Sequence, residues 1–342
     1  MPRIPKLSNK VLIISILSTI LAFSNVGNLL AADDKNDVFN PAELINHHIL
    51  DDYLWHFWDG HYGTLYLPVI LYSSDKGLIV FSSHNFFDAN HNILDYEGYR
   101  YEHGHVSSVD GGSFIDISIT KNVLFLFINA TVLLWVFFAV ARGYKKNIGK
   151  APKGIQSFFE PIILFVRDEI VKPNIGPKYE RFLPYMLSLF FFIWFGNLFG
   201  LMPGAANLTG NIAVTSILAI FTFVLTIVNT NRNYWKHIFN TPGVPWWLKL
   251  PVPLLPTVEI IGIFSKPFSL LLRLFVAITA GHIVVLSLIS LTFIFQSYSV
   301  GILSALITTF INLIELLVAT IQAYVFTLFS SMYIGMAMEE EH

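Results

Sequence analysis

The 342-residue chain has no cysteine. That removes disulfide frameworks, thiolate metal centres and cysteine nucleophiles from consideration. Charge is almost as scarce. Asp, Glu, Lys and Arg together make up 13% of the residues, against about 25% in an ordinary soluble domain, which excludes a typical soluble globular protein. The 21 basic and 23 acidic residues nearly cancel, so the basic excess of a nucleic-acid binder is missing. No G-x-x-x-x-G-K-[ST] phosphate loop occurs, so nucleotide chemistry belongs elsewhere. Internal repeats of the kind that build secondary transporters are missing too. What the chain has in quantity is apolar surface: 54% hydrophobic residues and a mean hydropathy of +0.60. An all-α integral membrane protein is expected, with a small extension ahead of it.

The N-terminus reads as an export signal. Arg3, Lys6 and Lys10 form a basic start, Val11 to Phe23 a short apolar run, and Ala31-Ala32 a small-residue cleavage site. The run is short for crossing a hydrocarbon core of about 30 Å, which favours a cleaved signal (residues 1–32) over a first span.

Residues 33–121 then form a polar, acidic extension. Thirteen carboxylates lie between Asp33 and Asp110, opposed by Lys35, Lys76 and Arg100 alone. Leu65–Tyr72 and Gly77–Ser82, separated by Ser-Ser-Asp-Lys-Gly, have the pattern of a β-hairpin. Eight of the eleven histidines also lie here. A metal site around His103 and His105 is the functional alternative to a solvated acidic surface. No ligand spacing repeats as such a site requires, so no metal is expected.

Five spans follow in the membrane domain, residues 122–342. Val123–Ala141 can cross once. Phe182 to Asn231 carries no charge and is broken by Met202-Pro203-Gly204-Ala205-Ala206-Asn207 into spans near 182–202 and 211–230. Pro251–Phe295 and Val300–Met338 are longer than a membrane is thick, so they must tilt steeply or break. Arg142, Lys145, Lys146, Lys150, Lys153, Arg167, Lys172, Lys178 and Arg181 crowd the segment after the first span, and Arg232, Lys236 and Lys249 follow the third. Both loops are therefore placed inside by the positive-inside rule. The acidic extension falls outside and the tail Glu339-Glu340-Glu341-His342 inside. Between the first two spans, Ile155, Phe158, Phe159, Ile162, Ile163, Val166 and Ile170 recur at helical spacing, the mark of an amphipathic helix along the interface, although Pro161 weakens a straight helix.

The informative residues are the charges inside the apolar runs. From Pro267 to Met338 the formal charges are Arg273 and Glu315, with His282 the one other titratable imidazole. Ionisable groups in a membrane are expensive and point to function. Lys266, near a helix end, has the simpler account of snorkelling to the interface. Gln296-Ser297-Tyr298-Ser299-Val300-Gly301 is the polar break between the last two spans. Folding them into a hairpin there sets Arg273 level with Gln322, and His282 level with Glu315. The two layers stand roughly 12 Å apart along the helices. Glu259 and Arg273 fall nearly on one face of an ideal helix, while His282 falls about 180° away from Arg273. A fixed cation thus stands between a carboxylate on one side and a His–Glu pair on the other.

At these residues a family resemblance emerges. The run Ser265-Lys266-Pro267-Phe268-Ser269-Leu270-Leu271-Leu272-Arg273-Leu274-Phe275, continuing to Ala280-Gly281-His282, resembles the a subunit of F-type ATP synthase, and so does Glu315 to Gln322-Ala323-Tyr324-Val325-Phe326-Thr327-Leu328. The resemblance implies a non-catalytic stator subunit of a bacterial inner membrane, without cofactors. Its implied partners are a ring of c subunits, the b-subunit peripheral stalk and the remaining ATP synthase subunits. It implies two half-channels that carry protons to and from a ring carboxylate. Arg273 then matches the family's arginine, His282 and Glu315 the outer half-channel pair, Gln322 the glutamine beside the arginine and Glu259 an inner carboxylate. Asn211, Ser269 and Lys266 are further candidate positions. The order His then Glu is similar to mitochondrial members, and Ala277 stands where asparagine is usual.

Overall fold

The computed structural model describes residues 41–42, 45, 49–56, 63–88, 93–102, 104–202, 204–231, 234–235 and 254–338. The expected signal segment 1–32, His103, the loop cations Arg232, Lys236 and Lys249, and the acidic tail lie outside the described residues. Contacts divide the chain into two compact units. One holds the chain up to Leu126 with Phe199–Asn207 and Gly281–Glu315; the other holds Phe127–Leu198, Leu208–Ala280 and Leu316 onward.

In the first unit the extension is a small β structure. Strands β1 (Leu54–His56) and β2 (Thr64–Tyr66) pair antiparallel, as do β5 (Tyr99–Glu102) and β6 (His105–Ser108). β3 (Pro68–Ser73) is the centre of a three-stranded sheet, flanked by β4 (Gly77–Ser82) and β7 (Phe114–Asp116). The hairpin read from the sequence is the β3–β4 pair, in register from Pro68↔Ser82 to Ser73↔Gly77, with Gly77 in the left-handed region its turn demands. Leu65 belongs instead to β2, opposite Trp55. Alternation buries Val69, Leu71 and Phe81 on one face, where they pack with Tyr53, Phe86, Tyr99 and Tyr101.

Polar groups tie this core to the first membrane helix. Buried Asp52 accepts hydrogen bonds from the Tyr53 amide at 2.7 Å and the Tyr101 hydroxyl at 2.8 Å. Asp51 accepts from the Thr120 hydroxyl at 2.8 Å and the Asn122 amide at 3.1 Å. Asn122 lies in the first turn of α1 (Lys121–Lys146). Asp51 therefore caps that helix from 71 residues upstream, supplying the acceptor that orphan first-turn amides need.

The second unit is helical. α2 (Ile155–Phe165), a wide turn over Val166–Val171, α3 (Lys172–Ile175), a short 3-10 turn and α4 (Tyr179–Gly200) follow one another with little interruption. The sequence reading separates an interfacial helix from a second span. The structure instead gives one near-continuous apolar stretch, Ile155–Gly200. Phe158 and Phe165 are exposed while Val166, Ile170, Val171 and Ile175 are buried. Pro161 sits inside α2. It has no amide to donate, and the wide π turn begins five residues later, a rare form that occurs mostly as single turns inside α-helices.

Phe191 is fully buried among Phe137, Phe159, Phe190, Trp194 and Phe195. Buried Asn197 donates to the Ala319 carbonyl at 3.1 Å and accepts from the Thr209 hydroxyl at 2.6 Å, the polar stitching expected between helices that share an apolar solvent.

Four stretches among the described residues are long and apolar enough to cross a membrane: Lys121–Lys146, Ile155–Gly200, Thr257–Phe295 and Tyr298–Met338. α5 (Ile212–Val228) has 17 residues, about 25 Å, just under the hydrocarbon thickness. The fold is a multi-spanning helical bundle. Its last two helices, α6 (Leu254–Phe295) and α7 (Tyr298–Met338), have 42 and 41 residues. Each is about 60 Å long. Pro267 lies inside α6 without ending it. Gln296 and Ser297 alone link the two, Gln296 with positive φ. The hairpin turns where the polar break predicts.

Candidate functional site

In the first unit the hairpin brings His282 of α6 against Glu315 of α7, as the level pairing requires. His282 Nδ1 lies 3.1 Å from Glu315 Oε1, with 10% and 9% of the two side chains exposed. The other ring nitrogen, Nε2, lies 3.3 Å from the Gly200 carbonyl at the end of α4. A carbonyl only accepts, so a hydrogen bond at this contact has the proton on Nε2. In a neutral ring Nδ1 is then an acceptor. A second acceptor, an ionised carboxylate, cannot face it at hydrogen-bond distance without repulsion. The Nδ1–Oε1 contact therefore contains a proton, shared as imidazolium–carboxylate or as imidazole–carboxylic acid. An acid and an imidazole in contact and shielded from bulk water can pass a proton between them.

Gly281 makes room for it. A Cβ at Gly281 would collide with the Glu315 carboxylate and with its Cγ. The residue beside the histidine must therefore lack a side chain for the acid to come this close.

The second unit holds the remaining charges. The Arg273 guanidinium stands 4.4 Å over the Phe329 ring, a cation–π contact that tolerates a charge in apolar surroundings. Arg273 makes no hydrogen bond to Gln322 among the described residues; Gln322 is half-buried on α7. The Lys266 ammonium lies 5.5 Å over Tyr333. Both rings come from α7, one helical turn apart. A small cleft lined by Thr222, Thr226, Tyr234, Lys266 and Tyr333 opens beside them. Glu259 is exposed. Its charge reaches Tyr234, whose phenol is raised first by burial and then by this carboxylate. Ser269 is exposed on α6. Asn211 serves as the N-cap of α5, accepting from the Ala213 amide at 2.9 Å.

Gly200, Gly281, Phe329 and Tyr333 are neighbours the sequence reading does not single out. Gly281 alone left a signal, its place next to His282. His105 is exposed in β6, and no cluster of three metal-binding side chains occurs among the described residues.

Residues 123–335 match the family model described as ATP synthase A chain. Residues 44–123 match a separate one, described as Domain of unknown function (DUF8433). ATP synthase subunit a of Chloroherpeton thalassium is 42% identical over 264 residues, covering 74% of this chain and 77% of the relative. ATP synthase subunit a 2 of Chlorobaculum tepidum is 42% identical over 257 residues, covering 72% and 71%. Subunit a of an Anaeromyxobacter species is 42% identical over 245 residues, covering 67% and 57%. With a family match over more than half its length and relatives of this identity, the chain belongs to the ATP synthase A chain family, as a homologue of subunit a, a non-catalytic membrane subunit of the F-type ATP synthase.

Proposed function

We propose that the chain is the proton-conducting stator subunit of its ATP synthase, with two half-channels separated by Arg273 and opening on opposite sides of the membrane. The observation that carries the reading is the buried His282–Glu315 pair, 3.1 Å apart, on the same hairpin as Arg273. His282 and Glu315 deliver protons from the outer side. Glu259 lies on the inner route and Gln322 flanks the arginine. Lys266 and Ser269 lie along the same helix and line the approach to it. The partners are a c-subunit ring, the b-subunit stalk and the remaining ATP synthase subunits.

The physics of the cycle follows from the cost of charge in lipid. Arg273 stays protonated at any working pH. A ring carboxylate beside it is favoured in its ionised form and gives up its proton. The same carboxylate must be neutral before it turns into lipid, where a bare charge is expensive. Protonation from one route and release to the other then gives rotation a direction. Each proton contributes about 2.3 kcal/mol per 100 mV of membrane potential. The fixed cation also blocks a direct hop between the routes.

The same reading includes the finer topology: residues 1–32 as a cleaved signal, 33–121 exported and periplasmic, 122–342 as five spans in a bacterial inner membrane, with the segment after the first span lying along the cytoplasmic interface and the C-terminus cytoplasmic. Charge placement supports it, through the basic loops.

The test is Glu315→Gln in the reconstituted complex. The amide keeps the shape but releases no proton at working pH, so ATP-driven proton pumping is lost while assembly and ATP hydrolysis by the soluble sector persist. Pumping at the wild-type rate would remove the pair from the route.

A further inference from the structure

The extension matches a family model of its own, to which no function is attached, yet it reaches the loop that holds His282. Trp55 of β1 is buried, its ring edge-on to Phe125 of α1 with centroids 6.3 Å apart. Its indole Nε1 donates to the Gly204 carbonyl at 2.6 Å. Gly204 has positive φ and lies in the segment Phe199–Asn207, which takes in the last two residues of α4 and the residues after it. That segment begins with Phe199 and Gly200, and Gly200 supplies the carbonyl that accepts from His282 Nε2. The segment folds back on itself: a Cβ at Gly200 would stand in ordinary van der Waals contact with the Ala206 carbonyl and Asn207. Extension, loop and His282–Glu315 pair all belong to the same compact unit.

We infer that Trp55 is a positioning residue for the outer proton site: its hydrogen bond to Gly204 fixes the 199–207 loop, and the loop fixes the tautomer and proton affinity of His282 through the Gly200 carbonyl. The inference rests on the reading of His282 and Glu315 as proton-path groups. Trp55 touches neither of them and acts through the loop. A buried indole N–H needs an acceptor, and Gly204 follows Gly200 by four positions in the chain.

The effect follows from the hydrogen bonds. Imidazolium is stabilised when both of its N–H groups are accepted, by Glu315 on one side and Gly200 on the other. Glu315 of α7 is a titratable group that faces the ring. The 199–207 segment contributes a backbone carbonyl, and the indole that holds the segment carries no charge. Loosening the loop weakens the Gly200 bond and removes one of the two contacts that hold the ring.

The experiment uses the full complex in vesicles, with proton-driven ATP synthesis measured while the pH on the side of the extension is varied. Two variants approach the clasp from opposite ends. Trp55→Phe removes the donor and keeps the packing on Phe125. Gly204→Ala strains the positive-φ position and displaces the acceptor without touching Trp55. Each is expected to displace the pH–rate profile by roughly 0.3 to 1 unit, the size of one ordinary hydrogen bond. ATP hydrolysis by the soluble sector stays unchanged. A wild-type profile in an assembled variant of either kind overturns the inference. If one fails to assemble, the other decides. Glu315→Gln in the same series separates the two levels. If it abolishes transport while both clasp variants keep the wild-type profile, this inference fails alone. If it leaves transport and profile intact, the proton-path reading fails with it.

Discussion

Gly281→Ala is the smallest change the site should refuse. The added methyl meets Oε1, Cδ and Cγ of Glu315, all closer than carbon and oxygen tolerate. Restoring ordinary van der Waals contact moves the carboxylate back by about 1 Å. The 3.1 Å contact to His282 then stretches past hydrogen-bond distance. A charge-assisted hydrogen bond contributes about 1.5–3 kcal/mol, so proton transfer through the pair should slow by roughly 10- to 150-fold. Helix propensity works the other way, since alanine in place of glycine gains about 1 kcal/mol. Propensity thus offsets only part of the lost contact, and stability should fall by less than transport does. ATP-driven pumping and thermal unfolding of the purified complex measure the two separately. Glu315→Asp withdraws the acid by one methylene and frees the space the methyl needs. Adding Gly281→Ala to it should therefore cost little more, a non-additivity that marks direct contact. Wild-type pumping in Gly281→Ala, or full additivity with Glu315→Asp, would refute the steric reasoning.

Two further expectations concern the extension. Asp51→Ala removes the acceptor at the start of α1 and should destabilise the junction by about 0.5–2 kcal/mol, the usual worth of a cap, read as a lower unfolding temperature of the complex. Burial, and then Asp116, raises the Tyr53 phenol above its ordinary range, and burial, and then the charge of Asp52, does the same for Tyr101. Below about pH 10 both phenols are neutral whether folded or unfolded, and their contribution is complete. Above it the unfolded chain ionises first, so the extension loses stability as pH rises. An ultraviolet titration of phenolate should show these two tyrosines ionising late, together with loss of the β structure; ionisation alongside exposed tyrosines would contradict it.

The legible parts of the chain were those governed by polarity. The β3–β4 hairpin follows from alternation and a glycine turn. The α6–α7 hairpin follows from one polar break between two apolar runs, and the His282–Glu315 contact from counting outward from it. Contacts made by backbone were invisible. The Gly200 and Gly204 carbonyls carry no side-chain signature, and Asp51 capping α1 joins residues 71 apart. The continuity of α2 through α4 leaves no signal in the sequence, because Pro161, Pro173, Gly176 and Pro177 all read as helix breaks. Arg273 was legible as a charge but not as a neighbour of Phe329, since an arginine is long enough to pass its level partner and lie on a ring farther along α7.

The fixed cation between two proton routes is tested most directly by Arg273→Ala in reconstituted complex, with ATP-driven pumping and passive proton leak through the membrane sector measured side by side. Pumping should vanish in an assembled complex while passive leak persists or rises, because the ring carboxylate loses its counter-charge and the routes lose their barrier. Pumping at the wild-type rate would make Arg273 a structural charge and contradict the account.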